Sequence, residues 1–210
     1  MTQGNGIEHR ITSVEELRQI LPPPSERTKA KVLDRLDAQS LEFLKHCPFL
    51  LLATAGNDGR IEVSPKGDEP GFVRIEDDRT VVIPDRTGNN LAFGLQNILE
   101  RPHVGVIALL PATGETLRFS GSAELTKEPA LLASMAARGK PALLGIRIRV
   151  ERTYFHCAKS VIRSGLWNPE TWPAPKAISF GRIMAGQLGL DAESVKQIDE
   201  YVANGYRTRL

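Results

Sequence analysis

The 210-residue sequence predicts an α+β protein, a central antiparallel barrel with helices at both ends. Three observations lead there. Short apolar runs, most of them bounded by Gly, Pro, Asn or Asp, recur at the regular intervals of a barrel or sandwich. The flanking segments instead carry apolar residues three and four apart, with capping residues before them. No repeat or low-complexity stretch interrupts the chain, and a chain of this length buries a substantial core without disulfides or metals.

Taken in order, "TSVEELRQIL" reads as a helix that Thr12 or Ser13 caps, with Glu15 and Glu16 at its positive end and "PPPS" stopping it. From Lys29 to His46, Val32, Leu33, Leu36, Leu41, Phe43 and Leu44 predict an amphipathic helix or two short ones, ended by Pro48. "FLLLATAG", the turn signal "NDG" and "RIEVSPKG" predict a hairpin, with the alternation of Ile61 and Val63 broken at Ser64 and Pro65. "GFVRIED", "TVVIPD", "HVGVIALL", "ETLRFSGSAEL" and "LLGIRIRVERTYFHC" are further strands. Two helices interrupt them, one around Leu91 to Leu99 and the other in "EPALLASMAARG", with Pro129 near its start and Gly139 near its stop. "LWNPETWPAPK" is loop-like. In "DAESVKQIDEYVANGY", Asp191 serves as N-cap and Gly205 as C-cap.

Composition narrows the partners. The 27 Lys and Arg against 25 Asp and Glu give a formal charge of +2, spread along the chain, which argues against nucleic acid. "MTQGNGIEHR" holds no apolar leader core and "PFLLLATAG" is too short to cross a bilayer, so a cytoplasmic protein without a membrane partner is expected. Cys47 and Cys157 are the two cysteines, without the paired Cys/His spacing of a structural zinc site, and are read as reduced thiols.

The chemistry-bearing stretch is "IPDRTGNN", where Arg86, Asn89 and Asn90 surround Gly88 ahead of a helix. Backbone N–H groups at a helix N-terminus, two amides and a guanidinium make an anion site. "SPKGD" adds Ser64 and Lys66 and "TLRFSG" adds Arg118; carried to one rim, these groups surround a phosphate. A plainer reading also stands: Asp85, Asn89 and Asn90 build the turn through local backbone bonds while Arg86 and Lys66 are solvated.

These pieces occur in an order that resembles a known family. The run from "CPFLLLATAGNDGRIEVSPKGD" through "VVIPDRTGNNLAFGLQNILERPHVGVIALL" to "TLRFSGSAEL" is similar to the pyridoxamine 5′-phosphate oxidase-related FMN-binding split barrels. More narrowly it resembles a subgroup of FMN-dependent enzymes of unassigned reaction, which share "YFHCAKSVIRSGLW". The resemblance covers about Leu41 to Pro173. It implies a six-stranded split barrel over residues 41–173, with helical extensions at 1–40 and 174–210, a homodimer, and FMN in clefts between the subunits. It further implies that Val63, Ser64 and Pro65 lie along the flavin ring with Ile83 and Pro84, and that Lys66 reaches its phosphate or polar edge. Arg86, Asn89 and Asn90 then hold the phosphate, and Arg118 bonds FMN from a later strand. Asn97 either braces the fold or touches cofactor.

Two departures bear on substrate. The phosphate turn carries Asn89 and Asn90 where the oxidases carry two basic residues, and no Arg-x-His element follows Trp167. Vitamin B6 oxidation is therefore not expected. Instead His156, Cys157, Lys159, Arg163 and Trp167 cluster, and in a dimer this segment crosses to the partner's flavin, with Trp167 on the cleft and Arg163 or Lys159 on an anionic substrate or the flavin edge. The plain alternatives are a structural His156, a buried apolar Cys157 and an interface anchor at Trp167. The expected activity is an FMN-dependent oxidoreductase moving hydride or electrons between a reduced nicotinamide or similar donor and a small acceptor. The alternatives are a flavin- or haem-binding protein without turnover, with His156 and His103 as the histidines to test, or a deazaflavin-dependent reductase, whose long anionic tail calls for a basic groove.

Overall fold

A computed structural model describes residues 9–176 and 178–208. Most of the N-terminal stretch read for a leader lies outside them. The chain divides into two compact units, Met1–Val32 and Leu33–Leu210.

In the first unit, helix α1 (Val14–Ile20) starts at Ser13, whose hydroxyl accepts the Glu16 N–H at 3.1 Å. The Glu16 carboxylate reaches back to the Thr12 N–H at 2.7 Å, a reciprocal capping arrangement. Helix α2 (Glu26–Lys29) is capped by Ser25 in the same way.

Of the helix or two short helices expected between Lys29 and His46, the second half forms as α3 (Ala38–His46), which Asp37 caps by accepting the Ser40 N–H at 2.8 Å, while the first half is not helical. Leu33 instead pairs its backbone with Thr153, and Leu36 is buried. An extended chain that drops side chains into a core at irregular intervals imitates helical spacing.

The strands are β1 (Phe49–Ala55), β2 (Ile61–Gly67), β3 (Arg74–Ile75), β4 (Thr80–Asp85), β5 (His103–Leu109), β6 (Thr116–Thr126) and β7 (Leu144–His156). They form one antiparallel sheet in the order β2-β1-β5-β6-β7-β4-β3. This is the split-barrel plan, an α+β fold with a curled sheet and flanking helices, built from seven strands rather than six. The added strand is β3, two residues that extend the sheet beyond β4. The β1–β2 hairpin forms as the sequence predicts, but Pro65 does not end β2, because β2 is an edge strand where a missing N–H is tolerated.

Alternation along the strands sends Leu50, Leu52, Val104, Val106, Leu117, Phe119, Ile146 and Ile148 into one core, with Leu44 of α3 packed among them. Each such side chain contributes about 1.5–3 kcal/mol by leaving water. Ile98 of helix α4 (Phe93–Glu100) joins them, and Asn97 Nδ2 donates to the buried Thr54 hydroxyl at 3.1 Å. Asn97 thus braces α4 against β1. Helix α5 (Pro129–Ser134) begins at Pro129 but ends well before Gly139, which sits at φ 75° in a tight turn closed by Ala137 and Lys140.

Beyond β7 comes α6 (Lys159–Ser164), and a 3-10 turn at Pro169–Thr171 gives structure to part of the stretch read as loop. Helices α7 (Phe180–Leu188) and α8 (Ala192–Thr208) then pair, Asp199 accepting from the Ser179 hydroxyl at 2.6 Å and the Gly181 N–H at 2.9 Å. Asp191 caps α8 through the Ser194 N–H at 2.8 Å. Gly205 lies inside α8, not at its end. One helical glycine costs only about 1 kcal/mol against alanine, too little to stop a long helix. Among the described residues no helix is long and apolar enough to cross a membrane, and no group of three or more His, Cys, Asp or Glu is placed to hold a metal.

Candidate functional site

The two ends of the curled sheet come together without a hydrogen-bonded ladder, and side chains join them. Lys66 of β2 forms an ion pair with Asp85, the last residue of β4. Arg86 reaches the other way, its Nε donating to Asp68 Oδ2 at 2.9 Å and its Nη2 to the Met135 carbonyl at 2.7 Å. Each cation of this seam therefore faces a carboxylate from the opposite strand end.

Beside the seam opens a cleft of about 580 Å³, lined by Val63, Ser64, Pro65 and Lys66 of β2 and by the loop from Asp85 to Ala92. Helix α4 starts at its wall. Its N-cap, Ala92, is left-handed at φ 55° and offers no side-chain cap, so the first N–H groups of the helix lack the usual side-chain partner. The helix comes close to β2 because residue 94 is glycine: a Cβ there would stand 3.3 Å from Ser64 Oγ.

Seven of the sequence-predicted site residues line this cleft: Val63, Ser64, Pro65, Lys66, Arg86, Asn89 and Asn90. Within the loop, Asn89 Oδ1 accepts the Leu91 N–H at 3.1 Å, so this side chain does build the turn. Asn90, left-handed at φ 61°, keeps its amide free of hydrogen bonds. Arg86 retains one buried donor, Nη1, with no partner.

The other predicted residues lie elsewhere. Ile83 and Pro84 are buried in β4 and do not line the cleft. Arg118 stands on the sheet face opposite the core, paired across to Ile107 and Tyr154, and its Nε is buried without a partner. Arg163 and Trp167 follow the C-terminal end of β7, whereas the cleft touches β7 at Leu144, roughly 40 Å of strand away at ~3.3 Å per residue. Arg163 is exposed, and Trp167 donates its indole N–H to the Thr113 carbonyl at 2.8 Å. His156 is half-buried at the end of β7 and His103 is exposed at the start of β5; neither lines the cleft.

The two thiols differ. Cys47 is buried, its Sγ 3.1 Å from the Phe49 carbonyl, and burial pushes its thiol up from the usual range. Cys157 is exposed, not the buried apolar residue of the plain reading. A disulfide-exchange reagent at neutral pH is expected to modify Cys157 promptly and Cys47 only on unfolding, which a count of fast and slow thiols checks.

Sequence reasoning missed three features. Asp68 and Asp85 are the carboxylate partners of the seam, and their signal was present in "KGD" and "DR", where an acid sits beside each base. A second cavity of about 520 Å³ lies beyond Arg86 and Leu143, which line both spaces, and carries Arg138 and Lys140. Neither cation has an ion-pair partner among the described residues. Arg138 is left-handed at φ 51°, a conformation that favours Gly or Asn in such a turn.

No curated protein matches the chain. Among solved structures, it is similar to Group A Streptococcus HupZ, at 21% identity over 57% of this chain and 94% of that one, with a TM-score of 0.46. An F420 reductase gives 19% identity, 55% and 94% coverage and a TM-score of 0.40. HutZ, the heme storage protein from Vibrio cholerae, gives 14%, 59%, 94% and 0.40. Likenesses this distant carry no functional argument. The profile described as pyridoxamine 5′-phosphate oxidase matches residues 36–157, more than half of the sequence. The chain therefore belongs to the pyridoxamine 5′-phosphate oxidase family.

Proposed function

We propose that the chain binds FMN in the cleft beside the seam and, as a homodimer, passes hydride or electrons between a reduced nicotinamide or similar donor and a small acceptor. The observation that carries this reading is the set of unfilled donors around one cleft: buried Arg86 Nη1, the free Asn90 amide and the uncapped start of α4. Donors of this kind suit a phosphate. Ser64 adds a hydroxyl, while Val63, Pro65, Leu91, Phe93 and Leu143 give apolar walls that suit a ring and keep water from it. When bound, the flavin itself supplies the hydride chemistry.

The homodimer gains support from the outer sheet face, where Ile61 and Val63 of β2 are 72% and 52% exposed and Arg118 of β6, with β1 and β5 between, keeps its Nε without a partner. Arg163 and Trp167, distant from the cleft of their own chain, are then supplied to the partner's cleft. Anaerobic mixing of the FMN-loaded protein with reduced nicotinamide tests the activity: bleaching of the flavin band supports the oxidoreductase, and a band unchanged by every donor leaves a binding protein.

One observation favours a second reading. The cavity beyond Arg86 sets the unpaired Arg138 and Lys140 against Glu69, with Asp68 already paired to Arg86, and this small positive excess suits a deazaflavin's anionic tail or an anionic acceptor. Arg138→Gly separates binding from folding. Glycine relieves the left-handed backbone, so stability is expected to rise by about 0.5–1 kcal/mol while affinity for an anionic tail or acceptor falls. Thermal melts beside a ligand titration check both signs.

A further inference from the structure

Lys66 is not free to act as a cation. Lys66 and Asp85 are 18% and 15% exposed at their side chains, and they pair across the line where β2 and β4 meet. Arg86 and Asp68, 28% and 15% exposed, form the second pair. Glu62 lines the same cleft, so the ionisable groups there sum to no positive charge. A phosphate placed against Lys66 would have to displace the Asp85 carboxylate or share the ammonium with it. A partly buried carboxylate left without its partner is costly.

We infer that Asp85 is a specificity-determining residue: it converts Lys66 from an anion ligand into half of a donor–acceptor pair, which reads a neutral group carrying adjacent N–H and C=O. The ligand chemistry at this point of the cleft is a carboxamide, lactam or imide edge and not a phosphate ester. Lys66 supplies the N–H donor to the ligand carbonyl, and Asp85 accepts from the ligand N–H. Phosphate is left to Arg86 Nη1, the Asn90 loop and the start of α4. This deepens the reading of the cleft as the ligand site and rests on that reading, not on which flavin fills it.

The test is titration of the full chain with inorganic phosphate and, separately, riboflavin, followed by NMR or calorimetry. In Lys66→Gln the phosphate affinity is expected to fall, because the substitution leaves the Asp85 carboxylate unpaired beside the cleft. In Asp85→Asn it is expected to rise about tenfold or more, because a half-buried ammonium is left unpaired. The double variant returns to the parental value. Riboflavin affinity is expected to fall in both single variants. A tenfold loss of phosphate affinity in the folded double variant, or no gain in a folded Asp85→Asn, overturns the inference, and so does riboflavin binding unchanged in both single variants. Should Asp85→Asn fail to fold, the titration of the double variant decides alone. Failure of riboflavin to bind the parent sinks the flavin reading, while the phosphate arm still decides the role of Asp85.

Discussion

Replacing Arg86 with alanine is expected to weaken FMN binding by ~1.5–3 kcal/mol, the worth of a hydrogen bond to a charged group. That corresponds to roughly 10- to 150-fold in the dissociation constant. The expectation rests on a single atom. Nε and Nη2 are already engaged by Asp68 and the Met135 carbonyl, and Nη1 alone is buried without a partner. The same substitution also removes the tie between the β2–β3 loop, α5 and the end of β4, leaving Asp68 unpaired, so a fall in melting temperature accompanies the affinity loss. Arg86→Lys distinguishes the two roles, since lysine keeps the charge but cannot hold three partners in a planar fork. Unchanged FMN affinity in a folded Arg86→Ala protein would remove Arg86 from the cofactor site.

The largest effect on folding is expected at Gly121. The register of β6 against β7 shifts between Ser120 and Gly121, and a Cβ on Gly121 would lie 1.9 Å from the Arg149 carbonyl oxygen. Because the obstacle is backbone, no rotamer change relieves it, and β6 must move away from β7. Gly121→Ala is expected to destabilise by about 3 kcal/mol, the upper range of ordinary overpacking. For a chain of this size that lowers the melting temperature by roughly 6–12 °C. A melt within a degree or two of the parent would show that the bulge absorbs a side chain. The position matters to the site because β7 carries Leu144 to the cleft at one end, with Leu143 just before it, and leads to Trp167 beyond the other.

How far the sequence reveals this arrangement depends on how local each cause is. The β1–β2 hairpin was legible because "NDG" and the flanking apolar runs lie side by side in the chain. Asp191 was legible as a cap because its hydrogen bond spans three residues. Leu33 was not, because its partner is Thr153 and nothing nearby records a long-range bridge. Gly139 looked like a helix stop, yet it belongs to a turn in which Arg138 is the strained residue.

The site divides in the same way. The loop from Asp85 to Asn90 and the strand from Val63 to Lys66 were legible as polar groups flanking a turn and a strand end, and they do meet in one cleft. What could not be read was the pairing. Lys66 and Asp85 are 19 residues apart and Arg86 and Asp68 are 18 apart, and only the closing of the curled sheet brings each acid to its base. Composition, almost balanced in charge, hinted that cations here are matched without saying by which carboxylates. Arg118, Arg163 and Trp167 remain assigned by resemblance, since none lines the cleft of its own chain.

This cleft is expected to hold a flavin, and the absorbance spectrum of the purified protein checks that expectation, followed by titration with FMN, FAD, haem and a deazaflavin. A flavin spectrum, or tight uptake of FMN in preference to the other three, is the predicted result. Absence of any flavin uptake would contradict it and leave a family barrel kept without the cofactor its cleft was assigned.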